Sequence, residues 1–438
     1  MSMRSLVVRA GSVILLTLGL SLRAQAGVVV VDPGGGSGSA ALQAALTAAA
    51  DGDVVLVRAG SYLLPADQRF VVAGKGLTLA TDAVAPPMLP GLEVSGVPSG
   101  SSFFVRGFTL GPVTWKAENA IVSVPTVLAH DNSGAVWIED CAITGRLGSF
   151  LVLFGFQTLV DGSPAVSLAD CAGVTLQRCS LTGGKGIYSS NQVGFDTFST
   201  SGGAGLTVNG SSASLHDCTL LGGAQGDGFY NEFLPNGGGA GAVVQLESTV
   251  LFAGCSVTGG PNGVQPDFAD GTVESPGNGL TVSSDTTAVL TRDSAFAGGT
   301  LMPPGIPGVP ISAPAGSVVT LAAPARSFTV TSPLKEGAAG ALTVNGEPGD
   351  LAMLLVSAGA GWSEIPSRQG VLVLATDPLL LFTLGATDGR GNFSLGFTMP
   401  SLPAGTLGAT IPMQLLVSSA GDGTLEAASA LTWLDSSL

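Results

Sequence analysis

Aromatic rings, amides and carboxylates gather in three stretches of this chain. The first reads Lys185-Gly-Ile-Tyr188-Ser-Ser-Asn191-Gln-Val-Gly-Phe195-Asp196-Thr-Phe198, the second Asp227-Gly-Phe229-Tyr230-Asn231-Glu232-Phe233, and the third Asp267-Phe268-Ala-Asp270, with Glu274 just beyond. Rings such as Tyr188, Phe229, Tyr230 and Phe268 present flat apolar faces to sugars, while Asn191, Asp196 and Asn231 can hydrogen-bond hydroxyls. Asp227 with Glu232, or Asp267 with Asp270, are carboxylate pairs of the type that serve as acid and base in glycoside cleavage or that hold Ca2+. The same residues have a plainer use, in which the rings pin the loops to a wall and the carboxylates only solvate them.

Other chemistries find less support. His130 and His216 are the two histidines, and neither lies beside a Ser or Cys nucleophile motif. Five cysteines occur, but no second ligand type accompanies them at metal-ligand spacing. No phosphate-cradling loop stands between a strand and a helix; the glycine pairs are expected to be turn residues. No metal or cofactor is required by this pattern, with Ca2+ the one ion its carboxylates suit.

The elements that position these loops come from a repeat. Val136-Trp-Ile-Glu-Asp-Cys141-Ala-Ile-Thr-Gly145 returns as Val174-Thr-Leu-Gln-Arg-Cys179-Ser-Leu-Thr-Gly-Gly184 and Ala213-Ser-Leu-His-Asp-Cys218-Thr-Leu-Leu-Gly-Gly223, with further copies anchored at Cys255 and Ser294. The anchors step by 38, 39, 37 and 39 residues, the mark of a stacked solenoid. A second strand-like run precedes each copy, as in Gly205-Leu-Thr-Val208 and Ala242-Val-Val-Gln-Leu246. Alternation points Leu215, Cys218 and Leu220 inward and leaves His216 and Asp217 in a bent, more exposed part. Cys141, Cys179, Cys218 and Cys255 share one register and read as an inward ladder of free thiols; Phe108 and Ser294 take the same place, and Cys171 stands apart in a turn. If the coils stack in register, the three loops leave one corner one above another.

On these repeats the chain resembles the right-handed parallel β-helix of pectin-lyase-like proteins, over about Gly27 to Pro324. The Ala-rich Ser39 to Ala50 segment, with Leu42, Leu46 and Ala49 on one face, resembles the helix that caps such solenoids; Asp51-Gly-Asp-Val-Val-Leu-Val57 resembles the first strand and Gly74-Lys-Gly-Leu-Thr-Leu79 the next coil. The resemblance implies polysaccharide lyase or hydrolase activity as one expectation. Its lyases use a basic residue and clustered aspartates that bind calcium, whereas Gly186 to Thr291 holds no Lys or Arg. Val136-Trp-Ile-Glu-Asp140 is similar to a Trp-Ile-Asp-His strand of those lyases, without the histidine.

Arg4 and Arg9, the apolar run Val13 to Leu20 and the small-residue site Ala24-Gln-Ala26 read as an export signal over residues 1–26. No later stretch is long and apolar enough to span a membrane. Removing the signal takes the formal charge from −15 to −18, because it holds Arg4, Arg9 and Arg23 and no acid. Such acidity disfavours nucleic acid. With 65 glycines and 11% charged residues the composition suits turns and stacked small side chains. After the prolines at 303, 304, 307, 310 and 314 a weak last coil is expected at Gly316 to Leu321. Residues 325–438 then carry about seven strand-like runs, an antiparallel β-sandwich with no candidate active site.

The expected protein is all-β, a capped parallel β-helix (27–324) and a C-terminal β-sandwich module (325–438), secreted or held at the cell surface. The leading expectation is binding of carbohydrate or another macromolecule along the loop face. A lyase or glycoside hydrolase, and a structural adhesin or spacer, are the alternatives. No sequence signature sets the oligomeric state.

Overall fold

The computed structural model describes residues 26–34, 38–64, 68–111, 123–153, 156–190, 197–226, 237–262, 276–284, 287–300, 307–419 and 422–438. It is a parallel β-solenoid followed by antiparallel sheets. One coil shows the construction. Strand Leu206–Asn209 is followed by Gly210 at φ 54°, strand Ser212–His216, Asp217 at φ 53°, and the short strand Thr219–Leu221. In two coils the first pair of strands runs on as a single one, Val127–Glu139 and Val166–Gln177. The first two strands of the central coils join a 16-stranded sheet, and the third joins a seven-stranded sheet.

The repeat period has a geometric cause. Each coil must place its strands beside those of the preceding one, so Val166, Leu206, Ala242 and Leu280 stand in one register, and Leu176, Leu215 and Phe252 in another. Between the second and third strand the chain turns through one left-handed residue: Gly107, Asp140, Arg178, Asp217, Gly254 and Asp293 all have φ between 45° and 83°. Gly adopts that conformation freely and Asp tolerates it, which accounts for the residue before every one of these anchors except Cys179, where Arg178 takes the left-handed place. The anchors Phe108, Cys141, Cys179, Cys218 and Cys255 are buried, and all five cysteines are free. Burial drives the Cys141, Cys179 and Cys218 thiols well above the ordinary range. Cys171 departs from expectation. It lies within Val166–Gln177, buried in the solenoid core, after Asp170 at φ 51°, and Asn132 of the neighbouring coil donates to its sulfur at 3.4 Å.

The N-terminal end is closed by helix Gly38–Ala48, with Leu42 and Leu46 fully buried. Strand Val28–Val31 pairs with Val54–Val57 and precedes the strand expected to come first. At Val71 the helix also satisfies backbone: Gln43 Nε2 donates to its carbonyl at 3.0 Å and Gln43 Oε1 accepts from its N–H at 2.9 Å. The weak last coil forms, as Val318–Thr320 against Ala288–Arg292.

Beyond Arg326 two sheets face each other. Ser327–Val330, Ala339–Asn345 and Asn392–Thr398 form one, and Leu334–Lys335, Asp422–Leu434, Gly408–Ser419, Leu351–Ser357 and Leu379–Ala386 the other. Phe328, Val344, Val356, Ile411 and Trp433 fill the space between them. This is a sandwich, with Leu334–Lys335, Leu379–Ala386 and Ala360–Ile365, the last paired with Gly370–Leu374, adding strands to those read from sequence.

Candidate functional site

The loops leave the solenoid through a stack of glycine. The glycine that ends each third strand donates its N–H to the segment that opens its own coil, and the segment that opens the next coil donates to that glycine in turn. Gly184 bonds Ser163, Gly203 bonds Gly184, Gly223 bonds Gly203, Gly239 bonds Gly223, Gly260 bonds Gly239 and Gly277 bonds Gly260, at 2.7 to 2.9 Å. Gly299 and Gly308 extend the series. Backbones this close leave no room for a side chain: a Cβ on Gly203, Gly223 or Gly239 would stand 1.9 to 2.1 Å from a neighbouring carbonyl oxygen. The glycine pairs were expected to turn the chain. Instead Gly183, Gly184, Gly222 and Gly223 stay outside the left-handed region and act as close-packed stems.

Next to these stems the first described residues of successive loops run side by side. Gly148 N–H bonds Lys185, Gly186 bonds Ala224, Gln225 bonds Pro261 and Asn262 bonds Thr300. A further loop, before the three read from sequence, is a hairpin of Ser149–Leu153 with Phe156–Val160, and the Lys185 stretch pairs Tyr188–Ser190 with Thr197–Ser199. The shared corner inferred from the repeat is thus present. Tyr188 opens the hairpin of the Lys185 stretch. Asn191, Asp196, Asp227, Phe229, Tyr230, Asn231, Glu232, Asp267, Phe268 and Asp270 lie outside the described residues. Among the described residues no three metal-ligating side chains gather.

The described polar residues concentrate elsewhere, on the outward side of the second strands. Arg106, Glu139, Gln177, His216, Ala253 and Arg292 share one register through six coils. They meet strand Asp422–Leu434 of the sandwich. Glu139, fully buried, accepts from Trp137 Nε1 and Ala430 N, both at 2.9 Å, and also from Ser429 and Arg178. The Gln177 amide donates to the Ala428 carbonyl at 3.1 Å and accepts from its N–H at 3.0 Å. Arg292 Nη1 reaches Glu426 Oε2 at 2.9 Å and donates to the Leu425 carbonyl at 3.1 Å. Side chains of the solenoid thereby stand where a neighbouring strand would, and satisfy the sandwich edge. Around them Phe104, Trp137, Leu251, Val371, Val373, Ala428 and Ala430 close an apolar seam, and Trp362 sits on Gly173.

Charges in the seam follow their surroundings. Burial would raise the Asp140 carboxyl, but hydrogen bonds from Arg178 and the charges of Arg106 and Arg178 hold it below the ordinary range. Burial raises Asp217 to about 6, with Glu426 adding to the shift and Arg178 opposing it. Burial, then the charge of Arg292, lowers His216 to about 3, so the imidazole is neutral and meets the Ser214 hydroxyl at 2.7 Å. His216 was expected in an exposed bend; the sandwich covers it completely. Its partner chemistry is structural, because Ser214 and His216 are both buried beneath the seam. His130, on the opposite run, lies 2.7 Å from Asp131.

Comparison with protein families, with curated proteins and with solved structures finds no match for this chain. The relation to known proteins therefore rests on architecture, a parallel β-solenoid. The one signal of the seam in the sequence is a polar residue two positions before most anchors, at Arg106, Glu139, Gln177, His216 and Arg292.

Proposed function

We propose that this chain is an exported carbohydrate-binding protein that engages a polysaccharide through the loops of one solenoid corner. The observation that supports this reading is the ladder of paired stems, which gives successive loops a common origin one coil apart. Coils repeat at about 4.8 Å, so groups from three loops can address one extended polymer. Tyr188, Phe229, Tyr230 and Phe268 are the rings proposed to stack on sugars. Asn191, Asp196 and Asn231 are proposed to bond hydroxyls, and the loop carboxylates to admit Ca2+.

The test is a polysaccharide panel, with and without calcium. Tyr230→Ala is expected to weaken glycan retention while leaving the melting temperature nearly unchanged. A fall in stability of about 1 to 3 kcal/mol with unaltered binding would instead assign the ring to loop packing. Sugar release that disappears in both Asp227→Asn and Glu232→Gln would favour a lyase or hydrolase over a binding protein.

A further inference from the structure

The row of polar side chains beneath strand Asp422–Leu434 has one break. Successive coils bring two consecutive residues to it: Arg106 with Gly107, Glu139 with Asp140, Gln177 with Arg178, His216 with Asp217, Ala253 with Gly254, and Arg292 with Asp293. Among these six, the coil anchored at Cys255 alone contributes no polar side chain at either place. Ala253 is nevertheless buried, with His216 one coil before it and Arg292 one coil after. Coils repeat at about 4.8 Å, so the His216 and Arg292 backbones stand about 9.6 Å apart with only the Ala253 methyl group at the place between them.

The charged groups around this break are incompletely matched. Arg292, fully buried, bonds Glu426 Oε2 and the Leu425 carbonyl through Nη1, but its Nε and Nη2 meet no acceptor among the described residues. Glu426 is equally buried. Its Oε2 accepts from Arg292 and from the Arg326 N–H at 3.3 Å, whereas Oε1 has no donor, the Arg326 Nη1 standing 3.8 Å away and beyond hydrogen-bond reach. Asp217 Oδ2 is also buried without a donor. Its Oδ1 stands 2.7 Å from the place a Cβ on Gly254 would take, so the carboxyl leans over Gly254 toward the coil of Arg292, and it senses the charge of Glu426. Buried donors and acceptors without partners are costly, and more so when charged. Two nitrogens here lack acceptors and two oxygens lack donors. An anion would suit the guanidinium but would face two carboxylates, and a cation would suit the carboxylates but would face Arg292. Water accepts and donates, and its usual two to four bonds match this set.

We propose that the Ala253–Gly254 step is a water-binding site, where one ordered water bridges Arg292 and Asp217 of the solenoid to Glu426 of the sandwich. The two small residues are then selected for the room they leave, as the larger residues of the row are selected for the bonds they make. The site is distinct from the loop corner, and its test is independent of glycan binding.

A high-resolution crystal structure of the full chain is expected to show one solvent oxygen within about 3.2 Å of an Arg292 nitrogen, of Glu426 Oε1 and of Asp217 Oδ2. Direct contact among these side chains, with no solvent between them, would overturn the proposal. Two substitutions of the same shape give a second readout. Ala253→Thr brings a hydroxyl to the place of the water, whereas Ala253→Val brings a methyl group that excludes water and bonds nothing. The Thr variant is expected to melt close to the unaltered protein, and the Val variant about 2 °C or more below the Thr variant, with circular dichroism confirming the β fold of both before heating. Equal melting of the two, a Val variant the more stable, or failure of both to fold would show that this place does not hold water and would contradict the proposal.

Discussion

His216 carries an imidazole in a place that cannot host its charge. Its folded pKa, about 3, lies below the unfolded value of about 6.5, so the folded protein binds fewer protons there. The corresponding stability is present above the unfolded value and is lost as pH falls toward the folded one. Asp217 works in the opposite sense, because its folded pKa, about 6, is raised: its contribution is present in acid and is lost as pH rises through that value. Substitution separates the two. The melting temperature of the unaltered protein relative to His216→Gln is expected to decline from about pH 7 to about pH 4, the range in which only the unfolded imidazole charges. A difference that stays constant across that range would contradict the buried, neutral histidine. The alternation of the sequence placed the inward residues Leu215, Cys218 and Leu220 correctly but assigned His216 to solvent. Alternation says which side of a strand a residue occupies; it does not say what covers that side.

The glycine stems and the surrogate edges illustrate the same division among elements. Repeats at 37 to 39 residues were legible because every coil must meet its neighbours in register, and a helix cap was legible because Leu42 and Leu46 share a face. The glycine pairs were visible as a pattern, yet their role was not, since a turn and a close approach both select glycine. Gly223→Ala distinguishes them. Its Cβ would stand 2.0 Å from the Gly184 carbonyl oxygen, a backbone atom fixed by its own ladder. The expected loss is about 4 kcal/mol or more by denaturant unfolding, or failure to fold. Gly389→Ala, where the added methyl meets nothing within 4 Å, should change stability little. A tolerated Gly223→Ala would remove the physical basis for the loop corner. Glutamine has a comparable hidden use. Gln43 at Val71, Gln177 at Ala428 and Gln414 at Val371 and Val373 each place an amide where a strand partner would donate and accept. Apart from the place of Gln177 two positions before an anchor, nothing in the local sequence marks these glutamines, because the backbone each one serves is distant along the chain.

At the scale of the whole molecule, the sandwich is fastened to the solenoid by a seam that is both apolar and ionic. Arg106 reaches Ala430 and Val330 carbonyls, Arg178 the Phe328 carbonyl, and Arg292 both Glu426 and Leu425. Arg326 then joins Glu426 to Asp350, with the Asp350 carboxylate 2.8 Å from its Nε. A buried pair is weak evidence for net stability, since desolvation offsets attraction, but losing one partner strands the other. Sequence indicated two β-rich regions without indicating that one covers an outer face of the other, because the matched groups differ at each coil. The measurement that tests this architecture most directly is a double-mutant cycle on Arg292→Met and Glu426→Gln, read by denaturant unfolding. Docking of the sandwich on the solenoid predicts costly single substitutions and a coupling of about 1 to 3 kcal/mol between positions far apart in sequence. Additive effects, within about 0.5 kcal/mol, would show that the two residues do not meet and would contradict the seam.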